Sequence, residues 1–379
     1  IVWFNLAWFD PRFRQEIPEL RHLVKKGRNF TEDDKKTVLD RQFDVLKQII
    51  PTYKKMQEEG RLEVAVSPYY HPILPLLFSS FAGKDANPHT PLPKTIFSHP
   101  EDAIWHVESA LEYYQQKFGT PARGMWPSEQ AVSAEILPLL LKTKLQWIVT
   151  DETLLWKTFP KIKRDGRVLY RPYGVTIKDK TLAVVFRDRY LSDLIGFEYQ
   201  HWRTKDAVDN FIHHLLKIKE YFGDEDCLVT VALDGENAWE YYRNDGRDFL
   251  RLLYGSIAAA DYVKTTTVSE YLNSVKIKHH LPALATGSWI FGNLNKWMGH
   301  PAKNKAWELL TEARNTITEK DFRNELLMKQ IYILEGSDWF WWYGDKNKSF
   351  DELYRLHLKN FYQILNTKPG SDLNTPLDI

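Results

Sequence analysis

Carboxylates recur just behind apolar runs in this 379-residue chain: Glu129 after residues 124–127, Asp151 and Glu152 after 147–150, Asp188 after 182–186, Asp234 and Glu236 after 228–233. Two carboxylates on different strand ends suit glycoside hydrolysis. One attacks the anomeric carbon, while the other protonates the leaving oxygen and later deprotonates water. Aromatic neighbours serve such chemistry twice, by raising the acid's pKa through desolvation and by stacking on sugar rings. Trp126 stands three residues before Glu129, and Trp239 five after Asp234. Each residue also has a plainer reading. An acid just after a strand is often a helix N-cap, and Asp234 or Asp151 taken alone reads as one. Glu129 alone reads as a first-turn residue favoured by the helix dipole. Asp188, between Arg187 and Arg189, reads as ion-paired, and His71 before Pro72 reads as a loop hydrogen-bonder slightly ahead of a ligand.

Composition removes other chemistries. Lys+Arg is 51 against 50 Asp+Glu, a net charge of +1, which argues against coating nucleic acid, since phosphate neutralisation needs surplus cations. The single cysteine, Cys227, excludes a disulfide framework and a cysteine-only zinc site. His213-His214 and His279-His280 lack metal-ligand spacing. No phosphate-binding glycine fingerprint is present, and no run of about 18 apolar residues spans a membrane. The chain is rich in aromatics, with 14 Trp, 19 Tyr and 20 Phe. Flat apolar plates of this kind suit sugar faces as well as cores.

The elements that must carry these residues alternate. Thr31 starts a helix with Val38, Val45, Ile49, Tyr53 and Met56 on one face and Gly60 at its end. Residues 62–66 alternate like a strand, and 67–75 form a proline-stiffened loop. A helix over 102–118 precedes a strand at 124–127, and another helix begins near Ser128. Strands follow at 147–150 and 182–186, a helix at 204–221, and a strand at 228–233. Helix and strand alternate at the spacing of βαβ units, and apolar runs such as 228–233 suit a parallel sheet buried on both faces. Beyond about residue 300 only helices are expected, over 303–317, 319–333 and 350–365. The pattern describes an α/β barrel followed by a helical cap, with the site at the C-terminal strand ends. The first ten residues, Ile1 to Asp10, read as a strand that has lost whatever preceded it. Four aromatics in a row, Trp339 to Trp342, cannot all face inward on a helix.

Five stretches, in order, together resemble glycoside hydrolase family 57, the family of α-amylases, amylopullulanases, 4-α-glucanotransferases and branching enzymes. Ser67-Pro68-Tyr69-Tyr70-His71-Pro72 is similar to its second region, whose His faces the site. Gly124-Met125-Trp126-Pro127-Ser128-Glu129 resembles the nucleophile motif, which implies Glu129. Leu233-Asp234-Gly235-Glu236-Asn237-Ala238-Trp239 resembles the acid/base motif, which implies Asp234. Gly287-Ser288-Trp289-Ile290 with Asn293 resembles a stretch near the site, and Gly336 to Gly344 resembles the region that closes over the sugar. The resemblance implies a (β/α)7 barrel over 1–290 and a C-terminal helical domain over 291–379. It also implies a retaining, metal-free and cofactor-free reaction on α-1,4-glucans, with His71, Trp126, Trp239, Trp289, Asp338 and Trp341 around the sugar.

One departure stands out. The family's His-Gln-Pro on the first barrel strand is absent, so the barrel is expected to be incomplete at its N-terminus. Three other readings stay open: a transferase or branching enzyme of the same family, a zinc-dependent α-mannosidase on a similar barrel, and a non-catalytic glucan-binding protein or inactive fragment. The expected partner is an α-glucan, without nucleic acid or membrane, and the default compartment is the cytoplasm.

Overall fold

The computed structural model describes residues 1–377, without the side chains of Glu236 and Asn237. Its contacts divide it into two compact units. One comprises residues 1–64, 189–226 and 231–267, and the other residues 65–188, 227–230 and 268–379. The expected boundary at 290/291 falls inside the second unit.

The second unit is α/β, built on a mixed sheet. Its strands are β1 (Gly124–Met125), β2 (Trp147–Asp151), β3 (Tyr173–Ile177) and β4 (Lys180–Arg187). Their order is β1-β2-β4-β3, with β1, β2 and β4 parallel and β3 antiparallel to β4. β2 is buried along its whole length and β4 from Leu182 to Arg187, as continuous apolar runs in a covered sheet require. β1 and β2 approach closely. A Cβ on Gly124 would lie 2.0 Å from the Trp147 indole, so only glycine fits there. The expected strand at 62–66 reduces to a single parallel bridge between Val66 and Met125. Residues 228–233 are in no named strand. Among the described bonds, Asp188 N–H donates to Thr230 O, but there is no regular ladder.

The helices of this unit fall along the chain where the sequence places them. Pro100–Phe118 ends on left-handed Gly119 (φ 78°). Pro301–Asn315, Glu325–Leu334 and Lys348–Ile364 match the expected helical C-terminal run. The middle one starts six residues later than expected, because the Asn324 side chain accepts from Leu327 N–H and caps it there.

The first unit is helical in its N-terminal segment and corrects the reading of Ile1–Asp10. Val2–Ala7 is an α-helix. Val2, Leu6 and Phe9 recur at helical spacing and enter a core with Leu20, Leu23 and Val38, which a period-2 strand could not achieve. The long helix Glu32–Glu58 begins with the expected Thr31 cap, which forms a reciprocal capping box with Asp34. Its apolar face is only partly used. Val38 is buried and Val45 half-buried, but Tyr53 is 50% exposed, because the core cluster covers only the first half of the helix.

Candidate active site

The parallel strands β1, β2 and β4 end close together in the second unit, and their C-terminal ends carry the polar residues. Glu129 follows β1 in a short 3₁₀ turn, Ser128–Gln130. Glu129 (φ 54°) and Gln130 (φ 52°) are both left-handed there, a costly conformation for non-glycine residues that gathers at functional sites. The surroundings hold the turn. Gln130 O accepts from Thr150 Oγ1 at the end of β2 (2.8 Å), and Val132 exchanges two backbone bonds with Gly287 (2.9 and 3.0 Å). Gly287 has φ 154°, and a Cβ there would lie 2.4 Å from Gly292 O, so the segment needs glycine at that crossing. Neither polar atom of the Gln130 amide, which is fully buried, has a hydrogen-bond partner among the described residues.

That crossing delivers Trp289. Its indole N–H donates to Glu129 Oε2 at 2.8 Å, and its backbone N–H donates to Glu129 O. Trp126 stands edge-on to the Trp289 ring at 5.4 Å. Three of the expected residues, Glu129, Trp126 and Trp289, are therefore in one half-buried cluster. Sequence reasoning missed its support. Arg187, at the end of β4, lies 5.1 Å over the Trp289 ring and makes a buried ion pair with Asp151 at 3.0 Å. Asp151 also caps the following helix through Thr153 N–H, so its plainer reading was sound. The signal for the pair was weak: Asp151 and Arg187 are register partners, 36 residues apart. Asp188 accepts from the Tyr170 hydroxyl at 2.5 Å, and Arg189 pairs with Asp193.

His71 sits in a second left-handed pair, Tyr70 (φ 56°) and His71 (φ 57°). Its Nδ1 is 2.8 Å from Ser337 Oγ, and its carbonyl accepts from Ser337 N–H. Asp338 follows on the helix Ser337–Trp342 and is exposed. On the same helix Phe340 is buried and Trp341 half-buried. Trp341 packs against Trp297, with Lys296 Nζ 4.5 Å over its ring.

The remaining two expected residues belong to the first unit. Asp234 is by position the N-cap residue of the helix Gly235–Trp239, without a side-chain capping bond among the described residues. Trp239 is half-buried against Tyr242 and Phe249.

Residues 2–283 match the family model "Glycosyl hydrolase family 57". The chain belongs to this family. An α-amylase of Pyrococcus furiosus is 24% identical over 312 residues, covering 79% of this chain and 40% of that protein. A 4-α-glucanotransferase of Thermococcus litoralis is 23% identical over 271 residues, 68% of this chain and 33% of that protein. The chain thus spans less than half the length of these relatives. The solved branching enzyme of Pyrococcus horikoshii shares the fold, with a TM-score of 0.67 at 19% identity, over 96% of this chain and 74% of that one. Among the described residues, no helix is long and apolar enough to cross a membrane.

Proposed function

We propose that this family 57 chain carries a retaining centre for α-1,4-glucans on a (β/α)7-type barrel, with Glu129 as nucleophile and Asp234 as general acid and base. The observation that carries the reading is the bond from the Trp289 indole to Glu129 Oε2, made in a strained turn at a parallel-strand end. A charge-assisted bond of this kind fixes one carboxylate oxygen and stabilises the charge that attack requires. Glu129 attacks the anomeric carbon while Asp234 protonates the departing oxygen. Asp234 then takes a proton from the incoming hydroxyl, which releases the sugar with net retention. Half-buried Trp126 and Trp289 offer ring faces to the sugar, with His71, Trp239, Asp338 and Trp341 completing its surroundings and residues 291–379 supplying the helical cap. Cytoplasmic residence is part of the same reading.

The test is covalent capture. An activated glycosyl fluoride should label the intact gene product on Glu129, and Glu129→Gln should abolish the label. A label that survives the substitution removes Glu129 from the role. Relatives named as a glucanotransferase and a branching enzyme support a second reading within the same chemistry, in which a sugar rather than water accepts the glycosyl group. Product analysis on maltooligosaccharides separates the two, and glucan affinity without turnover would instead identify a binding protein.

A further inference from the structure

The His71 turn is tied to a buried polar cluster that the glycosyl chemistry does not use. His106, on the helix Pro100–Phe118, and Glu335, just past the helix Glu325–Leu334, are both fully buried. His106 Nδ1 is bonded to the carbonyl oxygen of Tyr69, so Nδ1 carries a proton. His106 Nε2 lies 2.7 Å from Glu335 Oε2. The pair holds one further proton, as imidazolium with carboxylate or as imidazole with carboxylic acid.

The surrounding charges decide between the two. Arg314 donates to Asp102 at 2.6 and 3.0 Å and to Glu101 at 2.9 Å, so this cation already faces two carboxylates. An ionised Glu335 would add a third anion in a dry site, at a large desolvation cost. Burial holds the His106 imidazole down at about 3. Burial, reinforced by the charge of Asp102, by a hydrogen bond to Asp102 and by Glu101, against the opposing pull of Arg314, pushes the Glu335 carboxyl well above its usual range. The other titratable neighbours, Tyr332 and Tyr354, have hydroxyls pushed up by burial and stay neutral.

The cluster grips the turn from both sides. Tyr69 N–H donates to His106 O while Tyr69 O accepts from the His106 ring, and Ser337, two residues past Glu335, holds both the carbonyl and the ring of His71. We propose that Glu335, as a neutral carboxylic acid donating to His106, is a positioning residue that holds the left-handed Tyr70-His71 turn and so orients His71. Its consequence for turnover rests on the reading of His71 as sugar-facing.

The experiment compares wild type, Glu335→Gln and Glu335→Leu in the intact gene product. If Glu335 is protonated in the fold, folding takes up a proton above its ordinary value of 4.5. Wild type then loses stability as pH rises past that value, and the Gln variant has no such loss. The Tm of Glu335→Gln relative to wild type should therefore rise from about pH 5 to about pH 8. A relative Tm that stays flat or falls over this range shows that the buried pair does not keep its proton and overturns the proposal; an imidazolium–carboxylate pair would give the same rise, and the His106 tautomer separates the two. Selective ¹⁵N-histidine NMR, with His106 assigned by its loss in His106→Asn, should show wild-type His106 as the neutral Nδ1-protonated tautomer. Protonation of both nitrogens at neutral pH would equally refute it. In Glu335→Leu, the His71 resonances should move; unmoved resonances in a folded variant would dissociate Glu335 from the turn, and if it fails to fold the first two readouts still decide. None of these readouts needs glucan turnover, so an inactive gene product would count against the Glu129 assignment and leave this result standing.

Discussion

Trp289 gives its indole N–H to Glu129, so Trp289→Phe removes that bond while keeping an aromatic plate. A hydrogen bond to a charged group contributes about 1.5–3 kcal/mol, and kcat should fall roughly 10- to 100-fold. Loss of the donor also favours the protonated carboxyl, so the acid limb of the pH–rate profile should move to higher pH; an unshifted limb would show that the indole does not support the charge. Arg187 acts one contact further out. Arg187→Met leaves Asp151 buried without this cation, which should cost about 3–5 kcal/mol in chemical denaturation. At this scale the grouping of Trp126 with Glu129 was legible, because the two stand three residues apart in the chain. The sequence was silent about Arg187, because pairing with Asp151 arises from strand register, a relation between residues far apart in the chain.

Between elements, the tightest constraint is the approach of β1 to β2. Gly124→Ala would drive a methyl group into the Trp147 ring, and overpacking of this kind costs about 1–3 kcal/mol, so thermal unfolding should show a clear fall in Tm. Because the shift would pass along β1 to the Glu129 turn, activity should fall with it. Long amphipathic helices with clear ends were legible: Thr31 and Gly119 behave as the capping rules require. Short apolar runs were not. Ile1–Asp10 is too short for its period to be distinguished by eye, and packing with Leu20 and Leu23 decides for helix. The run 228–233 has strand composition yet forms no regular ladder among the described residues, since pairing depends on a neighbour and not on the run itself.

On the scale of the molecule, balanced charge and abundant aromatics suit a neutral polymer, and glucan affinity should change little between low and high salt, as screening acts on charged partners. A steep salt dependence would point to a charged ligand. The first product released from an α-linked substrate should be the α-anomer by NMR; the β-anomer would overturn the retaining mechanism. The division into units was illegible, because each unit draws on separated stretches of chain and no glycine- or serine-rich linker marks the crossings. Gln130 has a consequence for engineering. Its buried amide, without a partner among the described residues, lies beside the proposed nucleophile, and an apolar residue of similar length would spare the fold an unsolvated dipole. Gln130→Met should raise Tm. If it lowers turnover as it does so, this position is one where the protein has kept function at the expense of robustness, and a thermostability screen that ignores activity would select the wrong residue.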